Sequence, residues 1–424
     1  MFLYPGLFIF HFLCFMKKIV FILFLAALAC DPVDYHLTTG VSRTEAFAGH
    51  GKYAGNQPGS TSESVLYDTL AFMTGIEFPE TYNWVRDTAY GNVEAAIVLF
   101  RDGKRILSVS TGSGAKISAE PDMHHLVEGH VYSEYASRSR TWIKKDGEEL
   151  CSYDRAEKLR GLIVKGRDVY TLGQARDGHG FSLRKNGEVL VEKDEGKIIG
   201  MLDSDSFYRS GALYEDGGCI CFSYRKPGSS LCCLVADGKE ILVNTDGEIL
   251  DLRRINGEIW VLEQGPDGAV KIRSSDRSNE LRASYLPCTK VCRLSVYKGE
   301  VVAIGDYGNA YSGYGSCVWN NEGEVLMNNS GKTDYYLSGD YSARVQSFSG
   351  SMISFVTSDG RLKSESGRQL FFPYRGACLL GSRFILCTTK IDMGKKPVVY
   401  DGGQNKEVEI RGFLCSAELV EVRR

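Results

Sequence analysis

The chain has 424 residues, 43% of them hydrophobic, and a formal net charge of −3. That apolar share can fill a core, and closed all-β folds use this much chain as one domain. With no basic excess to neutralise phosphates, composition argues against a nucleic-acid partner.

From the N-terminus, Met16-Lys17-Lys18 opens the stretch MKKIVFILFLAALAC, two lysines followed by a short apolar core, small residues and Cys30. This is the layout of an export signal, not of a membrane span. Residues Ala27-Leu28-Ala29-Cys30 resemble the lipobox of bacterial lipoproteins, with Ala27 where Leu is commonest. The resemblance implies cleavage before Cys30 and lipid on its thiol. Residues 1–29 are then a signal peptide whose true start is Met16, with residues 1–15 an upstream extension. A plain secretory signal or an N-terminal anchor is the other reading. Residues 30–64 are polar and rich in Gly, Ser, Thr and Asn, a composition that buries too little apolar area to order itself, so a flexible tether is expected. Residues 65–92 regain Leu66, Phe72, Phe78 and Trp84 and read as a lead-in packed on the remainder of the chain.

Residues 93–424 repeat. The clearest unit is Arg160–Glu192, RGLIVKGRDVYTLGQARDGHGFSLRKNGEVLVE, with four short apolar runs. Turns at Lys165-Gly166 and Asn186-Gly187 join the outer pairs. Gly supplies the positive φ of two-residue hairpin turns, so the unit is four antiparallel strands, one blade of a β-propeller. Outer turns recur at Asp102-Gly103, Asp146-Gly147, Asn186-Gly187, Asp237-Gly238 and Glu322-Gly323, and less clearly near Asn279, Gly367 and Gly402. Inner turns recur at Gly129, Gly166, Gly217, Gly257, Gly299, Gly350 and Gly381, with a degenerate one at Ser416-Ala417. The two series predict an all-β propeller of eight four-stranded blades, seven being the alternative, since residues 199–216 add extra chain. They also predict closure by a shared blade, outer hairpin Ala95–Ser110 and inner hairpin Gly412–Val422. Over residues 93–422 the pattern resembles NHL-type propeller blades, and the whole resembles propeller lipoproteins of the Bacteroidetes kind. There is no WD dipeptide and no S-x-D-x-G-x-x-W box.

Thirteen cysteines show no paired metal spacing. A hairpin turning at Pro227-Gly228 would set Cys221 opposite Leu234 and Cys219 opposite Ala236, keeping the thiols of Cys219, Cys221, Cys232 and Cys233 apart. Buried small hydrophobes are the expected role, and no cofactor or metal is expected.

Three patterns carry possible chemistry. Six residues before an inner-turn position stand Arg160, Arg293, Arg344, Arg375 and Arg411. Guanidinium groups ringing a channel mouth would bind carboxylate, sulfate or phosphate bidentately; equally, each could brace the neighbouring blade. The loop Gly305–Gly315 holds Tyr307, Tyr311 and Tyr314, the connection Gly331–Tyr341 adds Tyr335, Tyr336 and Tyr341, and Tyr374 precedes Arg375. Tyr among Gly, Ser and Asn suits adaptable recognition and stacking on sugars. The run DMHHLVEGH gathers His124, His125 and His130, but alternation sends the first two to opposite faces, and a hydrogen-bonded structural histidine is the expected role.

No nucleophile elbow, phosphate loop or HExxH motif is present. The reading is therefore a cell-envelope protein, lipid-anchored to the outer membrane and facing the periplasm or the surface. It binds a glycan or protein ligand, an anionic one if the arginines ring the mouth. The alternatives are a polysaccharide lyase or glycoside hydrolase, with Arg344, Arg375, Tyr341, Tyr374 and His124 as candidates, and a structural subunit of an envelope assembly.

Overall fold

The computed structural model describes residues 67–82, 95–110, 124–136, 139–175, 178–199, 212–228, 231–244, 247–274, 278–281, 289–309, 313–330, 333–348, 352–357, 362–366, 376–390, 396–401 and 404–423. The signal, Cys30 and the tether lie outside these residues. Every helix or strand among them is a β-strand.

The first sheet starts with β1 (Tyr67–Glu77), β2 (Ala96–Arg101) and β3 (Lys104–Ser110). The second is β4 (His124–Val127), β5 (His130–Ala136), β6 (Thr141–Lys145) and β7 (Glu148–Tyr153). The third is β8 (Glu157–Lys165), β9 (Asp168–Ala175), β10 (Phe181–Lys185) and β11 (Glu188–Lys193). The fourth holds five strands: β12 (Lys197–Ile198), β13 (Tyr214–Asp216), β14 (Cys219–Arg225), β15 (Cys232–Ala236) and β16 (Lys239–Val243). The fifth is β17 (Glu248–Ile255), β18 (Glu258–Gln264), β19 (Val270–Ser274) and β20 (Ser278–Leu281). The sixth is β21 (Thr289–Tyr297), β22 (Glu300–Asn309), β23 (Gly313–Asn320) and β24 (Val325–Ser330). The seventh is β25 (Thr333–Ser338), β26 (Tyr341–Phe348), β27 (Met352–Thr357) and β28 (Leu362–Ser366). The eighth is β29 (Gly376–Leu380), β30 (Arg383–Lys390), β31 (Lys396–Asp401) and β32 (Gln404–Glu407). The final strand, β33 (Gly412–Arg423), returns to the first sheet beside β1.

Buried apolar side chains show how the sheets stack. Each core cluster joins two consecutive sheets, and one joins the eighth back to the first. Inner and middle strands are covered on both faces, whereas the fourth strands β3, β11 and β16 are mostly exposed. A circuit of sheets, buried toward the axis and wet at the rim, is a β-propeller.

The outer Asp/Asn-Gly turns do more than reverse the chain. Asp102, Asp146, Asn186 and Asp237 all have positive φ, as do the glycines after them, the geometry of type I′ hairpins. Each side chain also accepts the backbone N–H of a second-strand residue, while the turn residue's own N–H donates to that residue's carbonyl. The partners are Ala71, Val131, Val169 and Ile220. The motif thus locks the outer hairpin to the strand inside it.

The ends share one blade, but its division differs from expectation. Sheet order is β3-β2-β1-β33, three N-terminal strands and one C-terminal. Residues 67–77 are a full strand rather than a lead-in, and Gly412–Arg423 is one strand rather than a hairpin. Ala71 holding the place of Val131 and Val169 confirms that β1 is a second strand. In the fourth sheet, β12 and β13 both pair with β14, so the extra chain 199–213 interrupts the innermost strand. In the seventh, the inner turn is at Gly339-Asp340, not Gly350.

The inner turns are stitched to one another round the circuit. The Glu418 carboxylate of β33 accepts the backbone N–H groups of Glu128 and Gly129 at 2.8 and 2.9 Å. Asp216 does the same for Asn256 and Gly257 at 2.7 and 3.0 Å. The Ser338 hydroxyl accepts Gly381 N–H, and Lys298 N–H donates to the Gly339 carbonyl. Arg383 of the eighth sheet grips Asp401 with two bonds and donates to the Thr69 carbonyl of β1. Glu418 is fully buried, so removing its acceptors strands two donors. Glu418→Ala is expected to lower stability by about 3 kcal/mol and Glu418→Gln by about half that, read from urea unfolding midpoints.

Candidate functional site

Short turns and most of the longer connections start from opposite ends of the strands. First-to-second and third-to-fourth strand turns lie on one face, as the Asp146–Val131 and Asn186–Val169 bonds require. The second-to-third strand connections, with most of the chain passing between sheets, leave from the other. The strands β1, β3, β20 and β28 end on that side. A binding surface is expected on this loop face, where chain not consumed by the scaffold collects.

Three of the predicted arginines contact neighbouring segments of the scaffold. Arg160 sits at a bulge in β8, half-buried. Arg293 in β21 donates to the Tyr335 carbonyl of the next sheet at 3.0 Å. Arg344 is on β26, a second strand, because its true inner turn is Gly339. Its guanidinium donates to Asn329 Oδ1 at 2.7 Å. Arg411, exposed before β33, reaches the carbonyls of Glu80 and Tyr82. It pins the turn after β1, where Phe78 packs on Tyr82 and Phe413. Arg293, Arg344 and Arg411 are therefore braces between sheets or segments. Arg375 lies outside the described residues.

The tyrosines divide in the same way. Tyr335 and Tyr336 are buried in β25. The Tyr335 hydroxyl donates to the Ser316 carbonyl and accepts from Asn329. Asn329 thereby links Arg344 to Tyr335, and the Ser316 hydroxyl joins Asp306 at 2.6 Å. Tyr341 is exposed, but it follows the Gly339 turn and sits on the short-turn face. Tyr307 and Tyr314 fall in β22 and β23, paired with Gly315 and Gly308. Tyr311 and Tyr374 lie outside the described residues.

His124 occupies an unusual place. It stands three residues before the closing pair of its inner hairpin, where β8, β13's lead, β17 and β21 have Leu162, Leu213, Leu252 and Leu294. All are buried. His124 Nε2 bonds Thr74 Oγ1 at 2.9 Å, and Thr74 in turn bonds Ser416 of β33. Burial holds its pKa down at about 4, so the ring is neutral and unsuited to act as a base from this depth. His130 pairs instead with Asp146 at 2.6 Å. Among the described residues considered for a lyase, His124 is enclosed and Tyr341 is on the far face; Arg375 and Tyr374 lie outside the described residues.

Among the described residues no three His, Cys, Asp or Glu side chains converge to hold a metal, and the described cysteines are unbridged. Cys221 faces Ala236 and Cys232 faces Arg225, a register two residues from that expected. The longer connection 226–231 replaces a tight turn at Pro227-Gly228. Sequence reading missed Glu418, Asp216 and Arg383. A carboxylate between Ala417 and Leu419, inside an otherwise apolar run, was the available signal for the first.

No protein-family model matches the chain, and no curated protein matches it. Several solved propeller-containing structures are similar. Dihydro-heme d1 dehydrogenase NirN in complex with DHE is 12% identical, over 82% of this chain and 74% of its own, with a TM-score of 0.46. A eukaryotic initiation factor is 9% identical over 82% and 98%, with a TM-score of 0.39. The β-propeller domain of the Trilobed protease from Pyrococcus furiosus is 9% identical over 66% and 91%, also at 0.39. Identities this low concern fold alone, and the propeller assignment here stands on strand pairing.

The depressed pKa of His124 has a consequence for stability. From about pH 6.5 down to about 4 the unfolded chain takes up a proton that the folded one refuses, so stability falls as pH falls. The loss is about 3 kcal/mol. His124→Leu is expected to remove it, leaving urea midpoints at pH 7 and pH 4.5 closer together than in wild type.

Proposed function

We propose that this protein is a lipid-tethered propeller of the bacterial cell envelope that binds a glycan or protein ligand on its loop face. The observation that carries the reading is the unequal use of the two faces. One carries short turns of two to four residues, some of them stitched through Glu418, Asp216 and Ser338. The strand ends on the other are followed by most of the longer connections; in sequence, Tyr311 falls between β22 and β23, and Tyr374 and Arg375 between β28 and β29. A rigid ring presenting loops is a general arrangement for recognition. Tyr rings beside Arg suit sugars bearing carboxylate or sulfate. The export-signal layout ending at Cys30 supports attachment to the outer membrane.

The arginines divide between two duties. Arg293, Arg344 and Arg411 are engaged by the scaffold, leaving Arg375 as the guanidinium to test for ligand. A glycan array with neutral and acidic members, probed with wild type and Arg375→Ala/Tyr311→Ala, checks this. Binding of an acidic member, weakened at least about tenfold in the double variant with an unchanged melting temperature, is expected. Binding that survives the double substitution would remove these residues from the site. Capture of nothing across the array, together with capture of a protein, would move the ligand class to protein.

A further inference from the structure

Four outermost strands of the propeller carry a repeated protective device, and among the four without it one is apolar. In β3, β7, β11 and β24 the outermost strand contains a bulge, and the unpaired residue is each time a large exposed aliphatic: Ile106, Leu150, Leu190 and Leu326. A bulge spoils the even ladder that an incoming strand would need. The outer turn of the following sheet adds cover. A Cβ on Gly147 would lie 2.9 Å from Val109, one on Gly187 3.1 Å from Cys151, and one on Gly238 3.8 Å from Val191.

β16 lacks the bulge, and its apolar side chains are exposed. Its five residues pair with β15 without a shift, from Cys232↔Val243 to Ala236↔Lys239. Leu242 stands four residues past its turn glycine, as Cys151 and Val191 do, yet it is 56% exposed, and Ile241 beside it is 38% exposed. β20, β28 and β32 also pair evenly, but their sequences SNEL, LKSES and QNKE are largely polar. β16 is thus an even, apolar and exposed edge.

We propose that β16 is the pairing edge for a second copy of this chain, joined antiparallel about a two-fold axis at Leu242. In that register Leu242 faces its counterpart and Ile241 faces Val243. Glu240 faces Asn244, so no carboxylate opposes a carboxylate across the seam. Glu240 is already engaged by Lys193 of the same copy at 2.6 Å. Backbone N–H and C=O groups on the open side of β16 supply the ladder. One short strand pair, flanked by exposed Val189 and Leu190 of β11, makes a weak dimer that forms with rising concentration.

Sedimentation velocity of the purified protein over a wide concentration range, with hydrogen exchange of residues 239–243 at its two ends, tests the proposal. Wild type is expected to pass from monomer to dimer as amide protection of β16 rises. Leu242→Lys is expected to weaken dimerisation at least tenfold with an unchanged melting temperature, whereas Ile106→Lys, on a bulged edge, dimerises as wild type does. A wild type that stays monomeric throughout, or a Leu242→Lys variant that dimerises normally, overturns it. A monomer whose β16 is protected only by a different protein also overturns it.

Discussion

The pairing of β33 with β1 is the interaction on which the remaining structure depends. A stack of sheets with apolar faces leaves two faces uncovered unless its ends meet. Here the tail strand supplies the innermost position of the sheet begun by the N-terminal strands. Ala71, Met73 and Leu419 then fill the layer toward the eighth sheet, and Phe72, Ile76 and Phe413 the layer toward the second. Close approach is part of this. A Cβ on Gly376 would lie 2.6 Å from the Ser416 backbone, so β29 can meet β33 only through a residue with no side chain. Glu418, on the same tail strand, reaches the inner turn of the second sheet. One strand therefore seals the core and caps the next blade.

Polar groups inside the ring act mostly as fasteners. Buried Glu157 accepts Ser182 and lies near Arg155 and Arg184, and Asp251 holds Arg253 and the Leu294 amide of the next sheet. A buried charge left without partners costs more than such a bond returns, so these groups specify which sheets adjoin. Their use as braces commits these charges to the scaffold. His124 follows the same logic. A ring in a leucine's place makes one hydrogen bond at the seam and confers acid sensitivity.

Much of the architecture was legible because its signals are local. Asp-Gly and Asn-Gly pairs at Asp102, Asp146, Asn186 and Asp237 mark both the outer turn and, through the side chain, its lock on the second strand. Expectation failed toward the C-terminus, where local signals compete. Gly350 and Gly339 both come after apolar runs, and only pairing in space makes Gly339 the inner turn, which moves Arg344 off the innermost strand. Tyr67–Glu77 looked like a lead-in because its partner β33 lies at the far end of the chain. The arginines were legible as a series but not in role, since Arg293 and Arg411 bind backbone carbonyls, which every residue carries and no sequence advertises. Asp216 and Glu418 cap amides, unseen for the same reason.

The central claim is that the tail strand completes a three-plus-one blade. Hydrogen exchange coupled to mass spectrometry measures it directly, by comparing amides of Tyr67–Glu77 with those of Gly412–Arg423. The account predicts that both segments exchange slowly and at a common rate, released together when the ring opens. Exchange of Tyr67–Glu77 within seconds, while Gly412–Arg423 stays protected, would contradict it.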